Sequence, residues 1–293
     1  MTEKTNFQES QNSLGFIEAM PKPSEKELQE YYEQKYFQNS SGPYSLEYLP
    51  EELSWFKNIA KVAKRTAETL NLNKYLLDLG CGEGYFTSYF SESGWQISCC
   101  DFSDFALKTH NPKLLPFFKS GDIYELCNYY AQNDEDFGLI NLQNVLEHVL
   151  DPISLLENIK PILKNNHSAL RVKVPNDYSD FQKQLIESGN TENTWFNPPE
   201  HLSYFNIDGL KKTLEHCGYK IVSLQATFPI ELFLANPHSN YWQKRELGKG
   251  AHSTRILCEN FLIDKNVDDY INYSEAAARL GFGRELIAYI TLG

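Results

Sequence analysis

The stretch Tyr75–Asp101, YLLDLGCGEGYFTSYFSESGWQISCCD, reads as strand, glycine turn, helix, strand, acid. Tyr75 to Leu79 is an apolar run interrupted by Asp78, long enough for a buried strand. Gly80, Gly82 and Gly84 follow at alternate positions, and Tyr85, Phe86, Tyr89 and Phe90 give the next segment an apolar helical face. Gln96 to Cys100 is a second strand that ends on Asp101. Glycines let the turn swing tightly and bring backbone N–H groups against a ligand. A helix N-terminus behind them favours an anion. An acid after the next strand accepts the two hydroxyls of a ribose in βαβ nucleotide sites. The ligand so described has a ribose and a small group at the turn.

Spacing then separates the candidate ligands. A dinucleotide fingerprint is G-x-G-x-x-G, but here the third glycine comes one residue early, at Gly84, and position 85 is Tyr. The pattern D-x-G-x-G-x-G from Asp78 resembles motif I of class I S-adenosylmethionine (SAM)-dependent methyltransferases. In that family the turn holds the methionine moiety and the acid holds the ribose.

Composition narrows the partners. The chain of 293 residues is 41% hydrophobic and 14% aromatic, ample for a large core, and its net charge is −12. Binding to nucleic acid or to an anionic membrane rests on clustered Lys and Arg, so neither is expected. No apolar run approaches the length of a membrane span. The six cysteines form no C-x-x-C pair, and they read as buried free thiols of a cytoplasmic protein.

Residues 1–20 are polar and read as a flexible tail. Ser24 and Glu27 make a capping box for a helix to about Gln34. The string YYEQKYF resembles the preamble of small-molecule methyltransferases, where tyrosines such as Tyr32 and Tyr36 close over the cofactor as a lid. Pro50, with Glu51 and Glu52, opens a longer amphipathic helix. Beyond Asp101 the alternation continues through Gly121-Asp122-Ile123, a strand at 137–143, a helix at 153–163 and a strand at 169–174. NVLEHVLDP, residues 144–152, closely resembles a signature of small-molecule O-methyltransferases, including the ubiquinone-pathway group. Asn197-Pro198-Pro199 invites comparison with the N-P-P-aromatic motif of DNA adenine methyltransferases. That motif follows the fourth strand and ends on an aromatic residue, and here Glu200 stands in that position, so the comparison is rejected. PPEHLSYF instead resembles the loop before the sixth helix of the small-molecule group. Residues 229–283 form a helical insertion before a last strand near 286–291. The closing GFGRELIAYITL resembles methyltransferases encoded with polysaccharide or secondary-metabolite genes.

The resemblance implies an α/β fold: a Rossmann-like, seven-stranded, mostly parallel sheet with helices on both faces and the last strand antiparallel. The divisions are a tail at 1–20, a helical segment at 21–73, the cofactor-binding core at 74–228, the insertion at 229–283 and the final strand at 284–293. The insertion covers the acceptor site or builds a homodimer. The cofactor is SAM, and the residues implied to bind it are Tyr32, Tyr36, Asp78, Gly80, Cys81, Gly82, Asp101, Phe102, Asp122, Ile123, Gln143 and Asn144. A hydroxyl acceptor must lose a proton, which histidine suits; His148 and His201 are the candidates. Trp195, Phe196, Tyr204 and Phe205 flank the second histidine as an apolar wall or as core. The ubiquinone-type pattern E-x-x-E-H places carboxylates and an imidazole on a divalent ion. Here its first position is Asn144, and Glu147 with His148 alone holds a hard cation poorly, so no metal is expected. The acceptor is a small molecule, most simply methylated at oxygen. The rival readings are a nicotinamide-dependent oxidoreductase, a non-catalytic scaffold, and a carbon or nitrogen methyltransferase.

Overall fold

The computed structural model describes residues 6–36, 47–133 and 135–293. In chain order it begins with a hairpin, β1 (Gln8–Gln11) and β2 (Ile17–Met20), and helices α1 (Glu25–Tyr36) and α2 (Pro50–Thr69). The alternating part follows: β3 (Tyr75–Leu79), α3 (Tyr85–Glu92), β4 (Gln96–Asp101), α4 (Phe105–His110), β5 (Phe118–Ser120), α5 (Ile123–Gln132), β6 (Leu139–Gln143), α6 (Pro152–Ile159) and β7 (Ala169–Pro175). Next come α7 (Asp180–Glu187), β8 (Ser203–Tyr204), α8 (Ile207–His216) and β9 (Tyr219–Ala226). The chain closes with α9 (Gly248–Lys265), α10 (Val267–Arg279) and β10 (Glu285–Leu292).

Among the described residues, seven strands form the main sheet in the order β5-β4-β3-β6-β7-β10-β9. β5, β4, β3, β6 and β7 run parallel, and β10 enters antiparallel to both neighbours. Chain order reverses at β3, which lies between β4 and β6. Open α/β sheets bind ligands at such a switch point, beyond the carboxyl ends of the strands. The glycine turn therefore sits where the topology opens a crevice.

Successive strand residues face opposite sides of the sheet, and each side has its own core. Leu77, Leu79, Ile140 and Leu142 pack with Leu126 of α5, Leu155 and Leu156 of α6, and Leu210 of α8. Leu76, Leu139, Ile287 and Tyr289 face Ala60, Ala63 and Ala67 of α2 and Phe86 and Phe90 of α3. The insertion covers α2 on its outer side. Trp55 Nε1 donates to Glu259 Oε2 at 2.8 Å, and Val62 joins Ile263 and Tyr270 in a small core. Among the described residues, no helix is long and apolar enough to cross a membrane.

One expectation changes. Residues 8–20 are not a flexible tail: they fold as the β1–β2 hairpin, and β2 pairs with β8 through Ile17↔Tyr204 and Glu18↔Ser203. The polar composition hides the anchor, Phe16, which is only 1% exposed and stacks on Phe205 at 4.6 Å. Helices α5 and α7, which the sequence reading leaves unassigned, are both set by local caps. Asp122 accepts the N–H groups of Tyr124 and Glu125, and Ser179 accepts that of Gln182. The capping box at Ser24 and Glu27 forms as anticipated. The side chains of Tyr32 and Tyr36 lie outside the described residues.

Candidate active site

Hydrogen bonds tie the glycine turn to the neighbouring strand. The N–H groups of Gly80 and Cys81 both donate to the Cys100 carbonyl, at 2.9 and 3.0 Å. Gly82 N–H donates to Asp101 Oδ2 at 2.9 Å. The turn passes through φ values of 81°, 52° and 78° at Gly80, Gly82 and Gly84, a region that strains other residues. A Cβ on Gly80 would lie 2.6 Å from Val145 Cγ2, so close packing demands glycine there in any case. Burial pushes the Asp101 carboxyl up, while the N–H groups of Gly82, Ser103 and Phe102 pull it back. Asp101 Oδ1 is 3.5 Å from Ser103 N, longer than a good hydrogen bond. That oxygen retains acceptor capacity for a ribose hydroxyl. Phe102 beside it is half exposed. The turn, the acid and an accessible ring together fit an adenosine-bearing ligand.

Two residues expected at this ligand face elsewhere. Asp78 is 1% exposed, and its two oxygens accept from Thr87 Oγ1 at 2.5 Å and Asn141 Nδ2 at 2.7 Å. It braces the turn from below the sheet. The Cys81 thiol is buried toward Cys99, which, with burial, pushes it well up. Asp122 spends Oδ1 on capping α5, and Ile123 is that helix's first residue. Gln143 and Asn144 stand at the end of β6, where Asn144 is exposed and turns the chain at φ 54°.

Beyond the end of β6, His148 and His201 meet. Their rings pack edge to face with centroids 4.7 Å apart. His148 follows β6, whereas His201 arrives on the loop before β8. His148 Nδ1 lies 2.6 Å from the Glu200 carbonyl, an acceptor, so this nitrogen carries the proton and Nε2 the lone pair in the neutral ring. The loop is held in turn by the N–H groups of Leu202 and Ser203, both donating to the Glu147 carbonyl, and by Ala19 N–H of the hairpin, donating to the Leu202 carbonyl. Tyr204 and Phe205 are core residues, 1% exposed, whereas Trp195 and Phe196 remain half buried.

Buried charges collect beside this pair. Lys173 Nζ meets Glu285 Oε1 at 2.7 Å, and Arg284 Nη1 meets Asp177 Oδ1 at 2.7 Å. Burial pushes Glu285 up, but Lys173, Arg255 and Arg284 outweigh it and hold the carboxyl at about 2. Burial pushes Glu147 up to about 8, with Asp177 and Glu285 adding to the rise. Its Oε2 has no hydrogen-bond partner among the described residues. Sequence reasoning missed Lys173 and Glu285. The available signal was a pair of cations, Arg171 and Lys173, at alternate positions of an otherwise apolar central strand.

Among the described residues, Glu147, His148 and His201 are the group able to hold a metal ion, their ligand atoms all within 4.8 Å of one another. Two imidazoles and a carboxylate suit a divalent transition metal better than Mg²⁺. The expectation of no metal weighed only the adjacent pair; folding brings the second imidazole.

Residues 47–224 match a family model described as a methyltransferase domain. The chain is similar to the ubiquinone biosynthesis O-methyltransferase of Thiobacillus denitrificans, 31% identical over 118 residues, covering 39% of this chain and 47% of that one. It is also similar to the enzyme of the same name from Haemophilus ducreyi, 30% identical over 97 residues, covering 31% and 41%. The chain thus spans less than half the length of these curated relatives. A SAM-dependent methyltransferase from Archaeoglobus fulgidus is a structural neighbour at 20% identity and TM-score 0.49, covering 89% of this chain and 96% of that one.

Proposed function

The chain belongs to the methyltransferase family, and from that premise we propose that, with SAM as its methyl donor, it methylates a hydroxyl oxygen of a small polar metabolite, a saccharide being the leading class. The observation that carries this reading is the meeting of His148, just after β6, with His201. When bound, the donor supplies a sulfonium methyl that is already electrophilic. The protein must hold an oxygen in line with it and accept the hydroxyl proton, and placement is a large share of such catalysis. His148 is the base in this reading. The Glu200 carbonyl fixes its Nδ1–H and leaves the lone pair on Nε2, which lies 3.8 Å from Glu147 Oε1, beyond hydrogen-bond reach. His201 packs on its edge and fixes the ring's tilt. Asp101 holds the ribose.

Polarity favours a hydroxyl-rich acceptor. The two imidazoles and the Glu147 carboxyl stand together, while Lys173–Glu285 and Arg284–Asp177 are closed into buried ion pairs. Imidazole and carboxyl groups recognise hydroxyls through hydrogen bonds.

The test is incubation with SAM and a panel of sugars and phenols, with the product's connectivity read by NMR. An O-methyl ether is expected. An N- or C-methyl product sinks the oxygen assignment. Binding of NADH without S-adenosylhomocysteine would sink the donor. No metal takes part in this reaction as written. Turnover lost on EDTA treatment and restored by Zn²⁺ or Mn²⁺ would change the histidines from base to ligands.

A further inference from the structure

Arg171 is a guanidinium buried in the middle of the main sheet, 1% exposed, with no ion pair among the described residues. Arginines are seldom fully buried unless paired. It lies on β7 opposite Asn141 of β6, with the ring of Phe86 at 5.1 Å. Its Nη1 donates to Asn141 Oδ1 at 2.6 Å and to Gln143 Oε1 at 3.0 Å. A guanidinium has donors and no acceptor, so it takes the carbonyl end of both amides and neither can flip. Asn141 then points its nitrogen the other way and donates to Asp78 Oδ1. Gln143 likewise turns its NH₂ group away from Arg171, at the strand end.

The register decides what that group meets. Leu79 of β3 pairs with Leu142 of β6, so Gln143 stands beside Gly80, the first glycine of the turn. Immediately beyond, the first turn of α3 carries no acidic residue and no side-chain cap. Its N–H groups therefore remain for a ligand.

We propose that Arg171 is a positioning residue that fixes Gln143 as a hydrogen-bond donor. The Gln143 NH₂ group, the glycine turn and the first N–H groups of α3 together form a corner that receives the methionine carboxylate of the donor. This rests on the reading of the donor as SAM.

Calorimetry with two probes tests it: S-adenosylhomocysteine, which carries the carboxylate, and 5′-methylthioadenosine, which has the same nucleoside without it. Gln143→Glu keeps the side-chain length and the bond from Arg171, but turns the outward group from donor to acceptor. It should weaken S-adenosylhomocysteine about 10-fold or more, the size of one lost charge-assisted hydrogen bond, and leave methylthioadenosine within about 2-fold. Arg171→Met should give the same selective loss, and Arg171→Lys, which still offers only donors, should recover part of it. Where an Arg171 variant fails to fold, Gln143→Glu at the strand end carries the test. Equal losses for both probes, or none for either, overturn the proposal. A wild type that binds neither probe defeats the reading of the donor and takes the proposal with it.

Discussion

On one side of the crevice, Gly80, Gly82 and Asp101 come from a single run of chain that folds back on itself and closes with hydrogen bonds from the turn to β4. On the other side, His148 and His201 come from separate segments, and their loop is held both by the Glu147 carbonyl and by a third segment, the β1–β2 hairpin. In the proposed function the first is the donor side, which is local, and the second is the acceptor side, which is collected. A local site forms wherever its strand, turn and helix form. A collected site depends on every segment that holds it, so distant substitutions should damage the acceptor side first. Spending distant segments on the acceptor leaves the donor pocket unchanged while the acceptor wall varies.

The largest effect should separate the two sides cleanly. His148→Ala is expected to cut turnover by about 10²- to 10⁴-fold, the usual worth of a general base, with S-adenosylhomocysteine affinity unchanged within about 2-fold. A parallel loss of affinity in calorimetry would show that the sides are not independent.

Phe16→Ala comes next. Phe16 touches no part of the crevice, but it fills the space between Phe205 and Gly209, where a Cβ on Gly209 would lie 2.9 Å from Phe16 Cβ. Emptying that site should cost about 3–5 kcal/mol in denaturant unfolding. Turnover should fall through the loosened His201 loop, and cofactor affinity should hold. If Phe16→Ala lowers stability and leaves turnover per folded molecule intact, the hairpin does not position the histidine.

A third effect, on stability alone, sharpens the comparison through pH. Burial holds Glu147 up at about 8, above an unfolded value near 4.5, so the folded chain keeps a proton that the unfolded chain releases. That contribution is complete below about pH 4.5 and is lost as pH rises toward 8, with a slope near 1.4 kcal/mol per unit at most. Glu147→Gln should remove the decline: the variant gains on wild type at pH 8 and matches it near pH 4.5. Parallel stability curves for the two proteins across that range would place the Glu147 carboxyl in water.

Much of this was legible in the sequence, because strands, turns and helices follow from periodicity and from glycine. The strand–turn–helix–strand–acid run, the capped α1, the Pro50 start of α2 and a strand near the chain's end all emerge from local pattern, while the antiparallel direction of that last strand came from the family resemblance. Three kinds of feature did not. The hairpin at 8–20 is polar except for a buried anchor, so composition reads as tail. Asp78 and Cys81 sit inside a cofactor motif, yet strand alternation turns Asp78 under the sheet and packing takes the thiol into the core. Arg171 and Lys173 are polar in a buried strand, and only the neighbouring strands reveal what they bind.

The sequence by itself determined the donor side, since chemistry and spacing within one short run are enough to define a turn, a helix N-terminus and an acid. Only the tertiary structure decided that His201 stands against His148, that Glu147 lies buried beside them, and that Arg171 dictates which way Gln143 faces. The physical reason is range. Backbone geometry is set by neighbours along the chain, whereas the position of a side chain across a crevice is set by loops, registers and buried charges contributed from elsewhere.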